Sequence, residues 1–173
     1  MSGDPSGVGA RRPGAVVILA PMRSELRPVL KALSARRAAV GDVAAHRARA
    51  GRREVVVGLI GVGPSTAGAA TERLLDALDD QGTAVAHLMV SGIAGGIAED
   101  LAVGDMVLPD AVIDLASGRS FRAASVPGHD NARTVATVDE LILDHARLAA
   151  MAARGIDVLD METAAVAAVA EAR

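Results

Sequence analysis

The sequence predicts an α/β fold built on a largely parallel sheet, and two observations lead to this prediction. Short apolar runs, typical of strands that are buried on both faces, recur along the chain. Between these runs, apolar residues recur at the 3.6-residue spacing of amphipathic helices. Strands that alternate with helices indicate parallel strand pairs. We expect one domain over residues 15–173, preceded by a disordered arm at residues 1–14 that is rich in Gly, Pro and Ser.

The predicted elements follow in order along the chain. We predict strands at residues 15–20, 43–50, 54–60, 85–90, 105–109, 112–113, 134–138 and 156–159. We predict helices at residues 22–33, 65–78, 139–153 and 161–171. The strands at 15–20 and 85–90 are expected to be buried on both faces, since the first is an unbroken apolar run and the second is apolar except for His87. Residues 91–96 (SGIAGG) predict a glycine turn, and residues 114–133 an irregular stretch.

Composition excludes several classes of protein. Phe121 is the only aromatic residue of the 173, so the core must be aliphatic and any flat aromatic ligand could stack on one ring at most. A net charge of −3, without a basic stripe, argues against a nucleic-acid groove. The absence of cysteine excludes disulfides and thiol catalysis. The four histidines share no ligand spacing, so we expect no metal and no cofactor. Without an apolar stretch of about 18–20 residues, we expect a soluble, cytoplasmic protein with no membrane partner.

Four segments end predicted strands and are therefore candidates for a binding site. Ligands of open α/β sheets bind at the carboxyl ends of the strands. Two of these segments, residues 21–25 and 160–162, carry carboxylates at the start of a helix; the other two, 61–65 and 91–96, are glycine turns. Carboxylates accept hydrogen bonds from sugar hydroxyls, and glycine lets the backbone approach a ligand closely. This pattern favours a neutral or cationic polyhydroxyl ligand.

Each of these features also has a purely structural interpretation. Glu25 and Glu162 in first helical turns could simply complement the helix dipole. Asp160 could be no more than an N-cap. The glycines could only form turns. The pair Gly61 and Gly63 suggests a dinucleotide-binding loop, but residue 66 is threonine and the third glycine of that motif is missing.

Five segments, taken in order, resemble the nucleoside phosphorylase/nucleosidase family, and most closely its methylthioadenosine/S-adenosylhomocysteine nucleosidase branch. They are VVILAPMRSEL, VVVGLIGVGPSTAGAAT, HLMVSGIAGGIAEDLAVGDMVLPDAV, VATVDELI and VLDMETAAVAAVAEA. The third is the most specific. The resemblance covers residues 15–173 apart from a shortened stretch at 114–133. It implies a three-layer α/β/α fold with a central mixed, largely parallel sheet, and it implies a homodimer.

The resemblance also implies roles for individual residues in hydrolysis of the N-glycosidic bond of a 5′-substituted adenosine. Glu25 falls on the glutamate that activates the attacking water. Gly95 falls on a glycine whose backbone contacts the substrate. Met161 and Glu162 match the pair that holds the ribose, with the glutamate accepting from its hydroxyls. Ile93 replaces a serine of the family's glycine turn.

Two further positions concern the base. Ile142 lies where a backbone group of the family holds the purine. Leu141 replaces the phenylalanine that usually stacks on it, so weaker base binding is expected. The chemistry agrees with these roles, because a carboxylate stabilises the oxocarbenium-like transition state of glycoside cleavage.

The acid that protonates the leaving purine is the main departure from the family. In the family it is an aspartate of an SD motif in a strand that follows the helix carrying Glu162, and the sequence to Arg173 contains no such strand. We therefore expect low stability and weak activity for a chain truncated at this point. A fragment, a truncated gene product and a degenerate homologue are the three interpretations of this departure.

Three functional alternatives are also considered. The first is a phosphorylase, which would need a cationic phosphate site. The others are a nucleosidase acting on futalosine or a hopanoid-linked adenosine, and a non-catalytic nucleoside-binding remnant.

Overall fold

The computed structural model describes residues 14–41, 43–129 and 132–173. Within them the strands are β1 (Ala15–Ala20), β2 (Arg36–Val40), β3 (Val43–Ala50), β4 (Arg53–Leu59), β5 (Val85–Val90), β6 (Gly95–Gly96), β7 (Pro109–Asp114), β8 (Ser120–Arg122), β9 (Arg133–Thr137) and β10 (Val158–Asp160). The helices are α1 (Arg23–Ala32), α2 (Pro64–Asp80), α3 (His145–Ala152) and α4 (Thr163–Glu171). The expected arm lies outside the described residues, except for Gly14.

The described strands form two five-stranded mixed sheets, each with three adjacent parallel strands and two antiparallel pairings. The first has the order β2-β3-β4-β1-β5, with β4, β1 and β5 parallel. The second has the order β6-β10-β9-β7-β8, with β10, β9 and β7 parallel. The α/β class with a mixed sheet is therefore confirmed, with its strands divided between two sheets.

Helices cover both faces of each sheet, which gives three layers. In the first sheet, α1 packs on one face through Leu26, and α2 packs on the other through Leu74 and Leu78. In the second sheet, α3 lies on one face and α4 on the other. Helix α4 also contributes Val166 and Val169 to the core that α2 shares with β1. Because α4 contacts both cores, it holds the two sheets together.

The core is aliphatic, as the composition predicts. Leu19 of β1 and Leu74 of α2 are fully buried, and they meet above Gly58 of β4, where an added Cβ would lie 2.9 Å from a Leu74 methyl carbon. A glycine at this point lets the helix approach the sheet closely. Phe121 is buried in the smaller cluster beside α4, so the only aromatic ring of the chain belongs to the core.

Two strand predictions were wrong in part. Strand β5 is the edge of the first sheet among the described residues, and its side chains are half-buried or exposed, not buried on both faces. Residues 105–108 do not form a strand. Asp105 closes a turn instead, because its carboxylate accepts from the Ala102 N–H at 2.8 Å and Gly104 has φ +100°. The strand begins at Pro109.

The structure also corrects one helix boundary and adds three strands. Helix α3 begins at His145, six residues later than predicted, because Asp144 caps it by accepting from the Arg147 N–H at 2.7 Å. Strands β2, β6 and β8 were not predicted. The charged pair Arg36 and Arg37 hides any apolar alternation in β2, while β6 and β8 are only two and three residues long. No described helix has the length and apolar character needed to cross a membrane.

Candidate active site

The carboxyl ends of three parallel strands lie side by side in the first sheet. The N–H of Ile60, just after β4, donates to the carbonyl of Ala20 at the end of β1. On the other side of β1, the N–H of Ser91 donates to the carbonyl of Leu19. The segments that follow these strands are therefore neighbours, as the sequence predicts for residues 21–25, 61–65 and 91–96.

Glu25 lies in the first turn of α1, directly after β1, and is 8% exposed. Its Oε2 accepts from the Met22 N–H at 2.8 Å, which caps the helix. Its Oε1 accepts from the Ile93 N–H at 2.8 Å, in the glycine turn after β5. The structural interpretation of Glu25 as a helix-terminal acid is thus correct in part, but the second bond ties it to a different segment of the site. Each oxygen retains a lone pair that can accept from water or a ligand.

Gly92 lets the glycine turn pass close to this carboxylate. A Cβ at position 92 would lie 3.1 Å from Glu25 Oε1 and 3.4 Å from Glu25 Cδ. Any larger residue would therefore push the carboxylate away from the Ile93 N–H. The glycine turn is shaped around Glu25, and the two form one unit.

Glu162 follows β10 at the start of α4 and is 6% exposed. Its Oε1 accepts from the Gly63 N–H at 2.8 Å, and its Oε2 accepts from the Met161 N–H at 3.3 Å. Gly63 has φ +91°, a conformation that favours glycine. The contact brings the end of β10 in the second sheet against the turn after β4 in the first sheet.

Glu25 and Glu162 share one electrostatic environment. Burial raises the pKa of Glu162, and the negative charges of Asp160 and Glu25 raise it further, while the hydrogen bonds from Gly63 and Met161 oppose the shift. The site therefore contains two buried carboxylates that interact, each held by two backbone N–H groups. Such an arrangement attracts a cationic or hydroxyl-rich ligand and repels an anionic one.

The remaining predicted site residues gather around the end of β10. Gly95 in β6 pairs with Leu159 of β10, two residues before Met161. Met161 is half-buried between Asp160 and Glu162. Ile142 lies in the loop before α3, and its side chain is buried in a cluster with Leu159. The structure thus places Gly95, Met161 and Ile142 around one strand end, whereas Leu141 is exposed.

Apolar side chains are exposed on the segments that carry the two carboxylates. Met22 precedes α1, Val62 lies between the glycines of the turn after β4, and Ile93 follows Gly92. All three are exposed, and Ile93 is 80% exposed although its N–H is bound to Glu25. Apolar surface beside buried carboxylates suits a ligand that has both a flat or aliphatic part and hydroxyl groups.

A further polar contact at the end of β10 joins Asp160, which lies in the predicted site segment 160–162, to Thr137, which was not predicted as part of the site. Thr137 Oγ1 donates to Asp160 Oδ1 at 2.6 Å, and Asp160 Oδ2 accepts from the Thr163 N–H at 2.9 Å and from the Thr163 hydroxyl. Asp160 therefore acts as a helix cap, in agreement with its structural interpretation. Thr137 was missed because a threonine in a strand carries no signal of its own. Only its pairing with Asp160 across β9 and β10 shows its role.

Positive charge and metal ligands are scarce at this site. Arg23 and Arg27, each two residues from Glu25 in α1, are both exposed. Across the described ranges, no group of three or more His, Cys, Asp or Glu side chains is arranged to hold a metal ion.

Known proteins resemble this chain in family and in fold. The family model of the phosphorylase superfamily matches residues 15–137. A methylthioadenosine/S-adenosylhomocysteine nucleosidase of S. pneumoniae has a similar structure, with a TM-score of 0.75, 22% identity, and coverage of 91% of this chain and 80% of that chain. The corresponding nucleosidase of Campylobacter jejuni gives a TM-score of 0.70, 22% identity and coverage of 92% and 80%. A futalosine hydrolase mutant of Helicobacter pylori gives 0.73, 17% identity and coverage of 92% and 82%.

Among curated proteins, none matches the chain significantly in sequence. The structural likenesses, all at low identity, establish the shared fold. The family model covers well over half of the chain, including Glu25 and both glycine turns. This chain therefore belongs to the phosphorylase superfamily.

Proposed function

We propose that this protein hydrolyses the N-glycosidic bond of a 5′-substituted adenosine and releases adenine. The observation that supports this most strongly is the hydrogen bond between Glu25 and the Ile93 N–H, beside a second buried carboxylate, Glu162. Superfamily membership and the fold shared with nucleosidases support the reaction class. The nature of the 5′ substituent is left to experiment, since one structural neighbour is a futalosine hydrolase.

Glu25 is proposed to activate water. Its buried carboxylate accepts a hydrogen bond from the water, takes a proton as the oxygen attacks C1′, and stabilises the positive charge that develops on the ribose. The bond from C1′ to N9 of the purine breaks, and its electron pair leaves with the base. The base gains a proton, so one water and one nucleoside yield adenine and a free sugar. The two backbone N–H groups hold Glu25 in place through these steps.

Glu162 is proposed to bind the ribose hydroxyls, with Met161 beside it. A carboxylate accepts from hydroxyl donors, and two such bonds fix the ring for attack. In the structure, Glu162 Oε1 accepts from the Gly63 N–H, so one oxygen of the carboxylate is already directed toward the turn after β4. Gly95 and Ile142 are proposed to contact the substrate through their backbones. The purine then packs against aliphatic groups, because Phe121 is buried beside α4.

Phosphorolysis is the second candidate for the reaction, and the charges of the site favour hydrolysis. Phosphate is an anion, and here it would meet two buried carboxylates, whereas the neighbouring cations in sequence, Arg23 and Arg27, are exposed. A non-catalytic nucleoside-binding role is the third candidate. It predicts binding without release of base.

The superfamily resemblance also supports the proposal of a homodimer, which light scattering at micromolar concentration tests directly.

One assay separates these candidates. Purified protein is incubated with adenosines that carry methylthio, homocysteinyl and futalosine-type substituents, with and without inorganic phosphate, and the products are separated by chromatography. Hydrolysis yields free base and reducing sugar without phosphate. A requirement for phosphate, with sugar 1-phosphate as product, would establish the phosphorylase. Binding of a nucleoside that remains intact would establish the non-catalytic role.

A further inference from the structure

Glu162 occupies the N-cap position of α4 but does not cap the helix. An N-cap side chain ordinarily accepts a hydrogen bond from one of the first backbone N–H groups of its own helix. The Glu162 side chain makes no such bond. Its Oε1 accepts instead from Gly63, 99 residues earlier in the chain. The first turn of α4 must therefore satisfy its free N–H groups in another way.

Two residues from neighbouring strand ends satisfy these groups. Asp160 Oδ2 accepts from the Thr163 N–H at 2.9 Å, and Thr137 Oγ1 accepts from the Ala164 N–H at 2.8 Å. The Thr137 hydroxyl donates its own proton to Asp160 Oδ1 at 2.6 Å. Thr137 and Asp160 are direct partners across the parallel strands β9 and β10. Thr137 is 2% exposed, so water cannot readily replace it.

We infer that Thr137 and Asp160 are positioning residues, which cap α4 in place of Glu162 and thereby leave the Glu162 carboxylate available to a ligand. This inference rests on the proposed role of Glu162 in binding ribose. Without the two caps, the first N–H groups of α4 lack acceptors, and Glu162 at the N-cap position carries a carboxylate that can accept from them. A side chain that turned back to cap its own helix would leave Gly63 and the ligand site.

Asp160 has a second, electrostatic effect on Glu162. Its negative charge is the largest charge contribution to the raised pKa of Glu162, ahead of that of Glu25. The groups that act on Glu162 are thus Asp160 from β10 and Glu25 from α1, together with the N–H donors of Gly63 and Met161. A change of Asp160 to a neutral residue of the same size must shift the titration of Glu162 to lower pH.

The first test measures the dissociation constants of 5′-methylthioadenosine and of free adenine for Thr137→Val. This substitution preserves the shape of the side chain and removes the hydroxyl. We expect nucleoside binding to weaken about tenfold or more, as for loss of a hydrogen bond to a charged group, while adenine binding stays nearly unchanged. Thr137→Ser, which retains the hydroxyl, should restore nucleoside binding.

Thr71→Val is the matched control. Thr71 is also a fully buried threonine whose hydroxyl is bonded, in this case to the Ala67 carbonyl within α2. Its loss should lower stability without changing the ratio of the two dissociation constants. Equal losses of nucleoside and adenine binding in Thr137→Val would overturn the inference, since they would show a structural role alone.

Glu162→Gln separates failure of the inference from failure of the proposed function. If Glu162→Gln binds the nucleoside as the wild type does, the proposed ribose contact is wrong and the inference fails with it. If Glu162→Gln loses nucleoside binding and Thr137→Val does not, the inference alone is overturned.

Asp160→Asn provides a second measurement that does not depend on the folding of Thr137→Val. We expect nucleoside binding to weaken on acidification as Glu162 gains a proton. In Asp160→Asn we expect this loss of binding to occur at lower pH than in the wild type. Titration of binding between about pH 4 and pH 8 shows the shift. If Asp160→Asn loses nucleoside binding at the same pH as the wild type, the assignment of Asp160 as a positioning residue for Glu162 is overturned.

Discussion

Glu25 and Ile93 are joined by a hydrogen bond of 2.8 Å between a carboxylate oxygen and a backbone N–H, across 68 residues of sequence. The bond links the helix after β1 to the glycine turn after β5. It directs the carboxylate away from bulk water and toward the region where the strand ends meet. The functional proposal depends on this bond more than on any other contact.

The first prediction concerns the charge of Glu25. Glu25→Gln should lower base release by about 100-fold or more, because an amide cannot take a proton from water. The amide also offers one acceptor oxygen to two N–H donors, so a small loss of stability accompanies the change. Single-turnover assays and circular dichroism measure the two effects separately. Glu54→Gln, which alters a carboxylate paired with Arg47 at the end of β4 opposite the site, should leave release unchanged.

The second prediction concerns the closeness of the glycine turn to Glu25. Gly92→Ala places a methyl group 3.1 Å from Glu25 Oε1, so the carboxylate must shift by a few tenths of an ångström. We expect adenine release to fall at least tenfold, because the Glu25 carboxylate is no longer aligned with the attacking water.

Gly68→Ala is the control for this change. Gly68 lies within helix α2. Its added methyl carbon would lie 3.7 Å from the Cβ of Ala165 in α4, which is an ordinary contact distance. It should raise the melting temperature, since alanine favours a helix over glycine, and leave release unchanged. Full activity in Gly92→Ala would show that the turn does not hold Glu25 in its working position.

The third prediction concerns the effect of Glu162 on stability as a function of pH. The pKa of Glu162 is raised by burial in the folded protein, so the folded state binds this proton more tightly than the unfolded chain does. Between the ordinary glutamate pKa and the raised value, this residue therefore lowers the free energy of unfolding as pH rises. Glu162→Gln should be more stable than the wild type above that range, and the difference should shrink on acidification below it.

Denaturant unfolding at a series of pH values measures this difference. Glu140→Gln, at an exposed ion pair with Arg147, is the control and should show little effect. A Glu162→Gln variant that is less stable than the wild type at neutral pH would contradict the prediction. Such a result would mean that its hydrogen bonds outweigh the cost of burying the charge.

The fourth prediction concerns the aliphatic core of the first sheet. Leu74 is fully buried between α2 and the sheet, so Leu74→Ala should lower the free energy of unfolding by about 2–5 kcal/mol. Leu143→Ala, at an exposed position before α3, should change it by no more than about 0.5 kcal/mol. Chemical denaturation of the two variants checks the assignment of α2 as the helix on this face.

The sequence was most informative where local patterns and tertiary structure agree. The run AVVILA is β1 with the predicted bounds, and the glutamates after β1 and β10 lie at strand ends as expected. Prediction was poorest where a long-range contact or a single cap decides the structure. Strand β5 is apolar except for His87 but lies at an edge, and Asp144 delays the start of α3. Sequence spacing reports neither neighbours in a sheet nor which side chain caps a helix.

The candidate site shows the same division. Glu25 and Glu162 were predicted from their residue type and position, and the structure brings both into one electrostatic environment. The backbone donors that hold them, from Ile93 and Gly63, come from segments tens of residues away. No role at the site was predicted for Thr137. Its hydroxyl acquires a function only because β9 and β10 are adjacent and in register.

The most direct test of the central claim is a single-turnover assay of adenine release with enzyme in excess over 5′-methylthioadenosine and its 5′-substituted relatives. Enzyme in excess detects slow cleavage and removes any dependence on product release. The account predicts adenine and free sugar from at least one of these nucleosides with the wild type, without phosphate, and none above background with Glu25→Gln. Nucleosides that remain intact with the wild type, or equal release by both proteins, would contradict it.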